Sequence, residues 1–494
     1  MIAAAARERD GIAFARPSHS SSLFDRVIQT SGDSAYGHHA LAALWRDAGL
    51  PEAALGYAAL DAGPPLLPSS FAVDVAARAT IGAAALAAAE LFFQRGGARQ
   101  HVSVTAAAAA AAFHSERLLR IAGGPAPDFH DAVGGLYRTG DGGWVRLHTA
   151  FPHHRAGLLR LLACPPEREA VAAALARRGA EAFEAEAAEA GLCVAALRRF
   201  SLWDALAQGQ AVAAQPVRIT RIGPAPARPL PAAERPLAGL RVLDLTRVIA
   251  GPVCGRTLAS HGADVLLITA PHLPAIAPLV VDTGPGKRAA FLDLRREADR
   301  GRLVALLAEA DILVQGYRPG ALAALGFGPA EAARVSPGIV TVSLSAYGEE
   351  GPWRDRRGFD SLVQTASGFN AAEAEAAGES KPRPLPVQAL DHASGYLMAF
   401  GALAALHRRA TEGGSWDVRV SLAATARWLR GLGRMPDGLA RPAPAAEAFA
   451  DCMVAMQSPF GALELIRPPA AMALTPARWD RPPVPLGTHP ASWA

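Results

Sequence analysis

The run PLAGLRVLDLTRVIAGPVCGRTLASHGADVLLI, residues 236–268, decides how the larger part of this chain folds. Residues 240–245 (LRVLDL) form a short apolar run of strand length, and 263–268 (ADVLLI) form another. Between them, 252–260 hold small and apolar residues in a stretch that suits a short helix. Further strand-like runs follow at 289–294, 311–314 and 339–343, with a helix expected over 296–308. Short apolar runs alternating with helices predict an α/β domain with a parallel, Rossmann-like sheet. The first turn, 246–252 (TRVIAGP), is not GxGxxG, so a dinucleotide site lacks its fingerprint.

Upstream, residues 224–236 contain five prolines and read as a linker. Before it come a polar leader with Ser18–Ser22, two short helices within 38–56 broken at Gly49-Leu50-Pro51, and a Pro-rich link at 63–70. A long apolar helix is expected over 73–93; Arg78 and Glu90 within it argue for a buried helix, not a membrane span. Alternation at 101–105 predicts a strand, and 134–149 (GGLYRTGDGGWVRLHT) predicts a β-hairpin turning at Gly140–Gly143.

At 494 residues, two or three domains are expected. A hydrophobic share of 51% with 19% charged residues describes a globular chain. The net charge of +4 comes without a basic block, which argues against nucleic acid as the main ligand. Cys164, Cys193, Cys254 and Cys452 lie far apart, with no CxxC pair or metal spacing; His38-His39 and His153-His154 lack nearby ligand partners and read as surface or capping residues. The N-terminus has charges after six residues and does not resemble a signal peptide, so a cytoplasmic protein is expected.

Residues 386–405 (PVQALDHASGYLMAFGALAA) place one acidic residue, Asp391, before a helix rich in glycine and alanine. A carboxylate there can cap the helix or act as a nucleophile, and spacing alone favours the cap. The pattern recurs. Asp391, an Ala/Gly-rich helix, Gly413-Gly414 and alternating Val418 and Val420 match Asp74, an Ala-rich helix, Gly96-Gly97 and Val102 and Val104, which points to an internal duplication.

Seven segments in order resemble the class III CoA transferases, the CaiB/BaiF type that includes formyl-CoA:oxalate and carnitine CoA-transferases. They are 236–252, HGADVLLI, GKRAAFLDLR, ADILVQGYRPGALAALGFG, SLSAYGEEGPW, GFDSLVQTASGF and ALDHASGYLMAFGALAALHRR. YRTGDGGWVRLHTAF and the segment ending in SLWDA resemble the family's small domain, and PPVPLGTHP its C-terminus. The resemblance implies a tandem fusion with an interlaced, class III CoA transferase-like architecture. Residues 1–70 would be leader and short helices, and 71–223 a truncated first repeat with a small α+β domain. After the linker at 224–235, residues 236–425 would be the Rossmann-like catalytic domain and 426–494 its tail.

The resemblance also implies the chemistry. Asp391 matches the family's nucleophile, which attacks an acyl-CoA thioester and passes through an aspartyl-CoA thioester to an acceptor carboxylate. CoA would be a substrate, with no cofactor and no metal, and backbone N–H groups at the helix start could stabilise oxyanions. Arg247, Ala250, Lys287, Arg288, Arg318, Tyr347 and Gly348 occupy the family's CoA-contacting positions; as isolated cations, the charged ones also suit a solvated surface. Asp74, with no sheet domain before it, is given no role. The family's Glu after the second strand is Thr269, its GxGQ is Gly413-Gly414-Ser415-Trp416, and its glycine-rich loop is not evident. Partners would be acyl-CoA and small carboxylic acids, without nucleic acid or membrane, with a homodimer possible. Two alternatives are an acyl-CoA racemase, for which Phe359 stands where that branch has a proton-exchanging histidine, and a degenerate CoA-binding paralogue.

Overall fold

The first half of the chain is built on one buried helix, α1 (Val73–Gln94). In the computed structural model, which describes residues 33–61, 63–128 and 131–493, this helix is long and apolar enough to cross a membrane, yet 94% of its most apolar window is buried inside the protein. The Ser18–Ser22 stretch lies outside the described residues. A helix at Asp33–Asp47 and a 3-10 turn at Glu52–Tyr57 precede α1. The hairpin predicted at 134–149 is β1 (Gly135–Arg138) and β2 (Trp144–Leu147), joined antiparallel by β3 (Val194–Ala196). Helices between β2 and β3 pack on this sheet around Val145, Leu158, Val171 and Phe183, giving the small α+β unit its own core.

The strand-like runs after the linker pair into one sheet, joined at its edge by a strand from before the linker. Its strands are β4 (Val217–Gly223), β5 (Arg241–Leu245), β6 (Asp264–Thr269), β7 (Lys287–Phe291), β8 (Ile312–Gln315), β9 (Val340–Ser345) and β10 (Ser415–Ser421). The spatial order is β7-β6-β5-β8-β9-β10-β4, parallel throughout except for β4, which runs antiparallel to β10. Alternation along each strand divides two cores. Val242, Val265, Ile312 and Val340 face one side, while Leu243, Leu266 and Leu313 face the other. β7 starts two residues earlier than the alternation suggested, so Lys287 and Arg288 are its first residues rather than a turn before it.

Three helices connect these strands to the site: α2 (Ala250–Ser260) after β5, α3 (Asp360–Ser367), and α4 (Ala389–Glu412), which carries Asp391 in its first turn. α4 packs along α1, its counterpart in the repeat. The copies agree in detail after these helices. Thr105 accepts a hydrogen bond from the Ala108 N–H, and Ser421 does the same for Ala424, each capping the helix that follows its strand. Strands of the tail also pair with the first repeat, Ala470–Met472 against Val102–Val104.

Small residues in α4 let it approach the turn after β5. A Cβ at Gly395 would lie 2.6 Å from the Ala250 carbonyl oxygen and 2.7 Å from the Val253 Cβ. One of these obstacles is backbone, so a larger side chain cannot be accommodated by a rotamer change. Gly395→Val is expected to destabilise the protein by about 1–3 kcal/mol, measured by urea denaturation.

Candidate active site

β5 and β8 are neighbours whose following segments leave in opposite directions, so a crevice opens at their C-terminal ends. The cavity there is about 350 Å³. The turn after β5 lines it with Arg247, Val248, Ile249 and Ala250, and the turn after β8 with Tyr317, Arg318 and Pro319. The first repeat supplies part of the wall through Phe151, His153 and His154. Arg356, Arg357, Gly358 and Phe359 close another side, and Asp391 reaches the cavity from the start of α4.

The β5 turn is held under strain. Val248 has φ +76°, an unfavourable backbone region for a β-branched residue. Buried Asp244 supports the turn by accepting the Thr246 N–H at 3.0 Å, and Lys287 donates to Asp244 at 2.8 Å and to the Pro252 carbonyl at 2.8 Å. A salt-bridged lysine beneath the turn thus fixes both its entry and the start of α2.

Asp391 is 8% exposed. Among the described residues its carboxylate has no hydrogen bond or ion pair, because another residue caps the helix. Asp360, 1% exposed, accepts the N–H of Leu390 at 2.7 Å and of Asp391 at 2.9 Å, and takes a third bond from the Gln364 amide. The N–H groups that could have served an oxyanion are therefore committed to Asp360. Burial pushes Asp391 well above the usual carboxylate range, and the neighbouring charges of Asp360 and Glu116 push the same way. Burial raises Asp360 too, to about 6, against the hydrogen bonds it accepts.

Of the other residues singled out from sequence, Arg247, Ala250 and Arg318 join Asp391 at the cavity. Lys287 and Arg288 sit at the N-terminal end of β7, away from the crevice. Lys287 is paired with Asp244; Arg288 holds Asp264 through two bonds of 3.1 and 2.9 Å and donates to the Ser492 carbonyl. Tyr347 is buried between Trp203 and Trp353, next to the cavity-lining Ala346, and Gly348 turns the chain with φ +100°. Asp74 has its carboxylate engaged by the N–H groups of Leu66 and Leu67 at 2.8 and 3.0 Å.

Several site residues escaped the sequence reading. His154, which the sequence alone suggests as a surface or capping residue, is buried on the cavity wall, with Nε2 3.2 Å from Arg357 and Nδ1 3.6 Å from the Cys193 sulfur. Burial lowers its pKa to about 4, helped by the charges of His153, Arg357 and Arg247, so the ring is neutral. His148 stacks face to face on Phe359 at 3.7 Å. Asp360 was visible in GFDSLVQ, but its capping partner lies 30 residues on. Only the fold makes that pairing apparent.

The chain belongs to CoA-transferase family III, whose model matches residues 41–221 and again 237–445. The two matches fit a tandem arrangement. The acetyl-coenzyme A transferase nodX of Hypoxylon pulicicidum is 38% identical over 200 residues, 40% of this chain and 34% of that protein. The probable fatty acyl-CoA transferase Rv3272 of Mycobacterium tuberculosis is 33% identical over 234 residues, 43% of this chain and 59% of that one. A crystal structure of Rv3272 covers 40% of this chain and 57% of its own, at 32% identity and a TM-score of 0.37. The chain spans about a third to three fifths of the length of these curated relatives.

The raised pKa of Asp391 has a stability consequence. Its folded value lies above the unfolded one, so ionising it costs stability. That cost is absent below the ordinary carboxylate range, grows as pH rises, and is complete above the folded value. Asp391→Asn, which does not titrate, is expected to melt higher than the parent protein at pH 8, with the gap closing toward pH 4; thermal melts across pH check this.

Proposed function

We propose that this protein transfers CoA between an acyl-CoA and a carboxylic acid, with Asp391 as the nucleophile. The observation that carries the reading is a buried, partnerless carboxylate facing a cavity, while a second aspartate performs the capping it would otherwise do. Carboxylates nine-tenths buried are ordinarily paired. One left unpaired at a cavity is available for reaction.

The ionised Asp391 attacks the thioester carbonyl, forming an acyl–aspartyl mixed anhydride and expelling CoA thiolate. The thiolate then attacks the aspartyl carbonyl carbon, releasing the donor carboxylate and leaving an aspartyl-CoA thioester. The acceptor carboxylate attacks that thioester to give a second anhydride and thiolate. Attack of the thiolate on the acceptor acyl carbon forms the new acyl-CoA and regenerates Asp391. Each step exchanges acyl derivatives of comparable reactivity, so no intermediate is a deep trap.

Four guanidinium groups, Arg247, Arg318, Arg356 and Arg357, line the cavity and suit the phosphates of CoA. The first N–H groups of α2 belong to the turn at Ala250 and lack intrahelical partners. They are the backbone donors offered for a thioester oxygen. Lys287 would act indirectly, by holding this turn. Tyr347 and Gly348 would shape the segment behind Ala346. One wall of the cavity comes from the first repeat, so residues of both repeats of a single chain line it.

Racemisation needs a second proton carrier beside Asp391. Phe359 carries no exchangeable proton, and both ring nitrogens of His154 are engaged, so this reading is not favoured. In a coupled assay with a panel of acyl-CoA donors and carboxylate acceptors, exchange is expected for the parent protein and none for Asp391→Ala. Arg318→Ala is expected to raise the KM for acyl-CoA about tenfold, the loss of one charge-assisted contact of roughly 1.4 kcal/mol. A parent protein that binds CoA but exchanges nothing across the panel is a non-catalytic paralogue.

A further inference from the structure

The residue after the proposed nucleophile, His392, is fully buried, and its Nε2 lies 3.0 Å from Glu116, a carboxylate 3% exposed that belongs to the first repeat. The ring also stacks on Phe113 of that repeat at 5.4 Å. Its Nδ1 is buried without a hydrogen-bond partner. A buried pair of ionisable side chains joining the two repeats calls for an explanation, because apolar residues of similar size pack in such places without the cost of desolvation.

The duplication supplies the comparison. The offset that takes Asp391 to Asp74 takes His392 to Val75, and the offset that takes Ser421 to Thr105 takes Glu116 to Leu432. Val75 belongs to the apolar core, and Leu432 is a half-buried residue packed against it. The corresponding positions thus carry an apolar version, Val and Leu, in the repeat pairing with the engaged Asp74, and a polar version, His and Glu, with the partnerless Asp391. The polar version occurs where the reactive carboxylate is.

We infer that Glu116 and His392 are a positioning pair for Asp391, through which the first repeat fixes the first turn of α4 and places a negative charge behind the nucleophile. This inference rests on the reading of Asp391 as the nucleophile. Glu116 makes ionisation of Asp391 harder, and a more basic carboxylate is a stronger nucleophile once ionised. Other charged groups face the cluster: Asp360 from α3, Arg256 from α2 toward Glu116, Arg117 at 3.8 Å from Glu116, His114 two residues before it, and Arg146 from β2 toward Asp360. None of these bonds to the His392 ring.

Two variants test the pair. Glu116→Gln keeps the shape and an acceptor for the ring N–H but removes the charge. In the full-length protein labelled with ¹³C at aspartate carboxyl carbons, the Asp391 signal, assigned by its loss in Asp391→Asn, is expected to titrate at lower pH in Glu116→Gln than in the parent. The double variant Glu116→Leu/His392→Val puts at both positions the apolar residues found at the corresponding positions of the other repeat, so it is expected to melt within about 5 °C of the parent. It is expected to lose at least about tenfold in kcat with KM for acyl-CoA unchanged, which corresponds to about 1.4 kcal/mol of the barrier. An Asp391 midpoint unmoved by Glu116→Gln, or a double variant that exchanges CoA at the parent rate, overturns the inference. The titration reads Asp391 whether or not the parent exchanges CoA, so failure of the transferase reading is seen separately, as absence of exchange in the parent.

Discussion

The arrangement of the site depends on one short-range interaction, the Asp360 carboxylate accepting the N–H groups of Leu390 and Asp391. A helix start leaves several N–H groups without partners, and the nearest side-chain oxygen normally takes them. Had Asp391 done so, it would be a structural cap, held and stabilised in its ionised form. With Asp360 in that role, α4 is capped from outside and Asp391 is left in a buried position with its oxygens uncommitted. The cost is two carboxylates in one buried region, and both titrate above their ordinary range.

The two repeats make this contrast internal to the molecule. Asp74 and Asp391 stand at the start of paired helices, and the strands and capped helices that follow correspond. Asp74 satisfies two backbone N–H groups of the preceding segment. Asp391 faces the switch point of a sheet whose turns carry arginines, opposite a wall that the first repeat provides. The first copy therefore contributes its small domain and a buried helix face to the site of the second, consistent with the family match to both segments.

Much of the fold was legible because its signals are local. LRVLDL, ADVLLI and the later runs became neighbouring parallel strands, since residues buried on both faces of a sheet must be apolar throughout. The hairpin at 134–149 and the long helix from Val73 were equally direct. The site was legible only in part. Arg247, Ala250, Arg318 and Asp391 stand at strand ends or a helix start, positions that motif order can locate. Lys287 looked like a ligand-binding cation before a strand, but β7 begins at that residue and its charge is met by Asp244, 43 positions earlier. His154, Glu116 and the capping role of Asp360 depend on pairings across the chain, and no local pattern distinguishes such residues from surface ones.

The central claim is that Asp391 carries the group being transferred. The most direct measurement is peptide mass spectrometry of the protein after incubation with a panel of acyl-CoAs and quenching with hydroxylamine, which converts an anhydride or thioester into a hydroxamate. The account predicts an aspartyl hydroxamate at Asp391, dependent on acyl-CoA and absent at Asp74 and Asp360. An unmodified Asp391 in a preparation that exchanges CoA, or a hydroxamate formed at another residue, would contradict it.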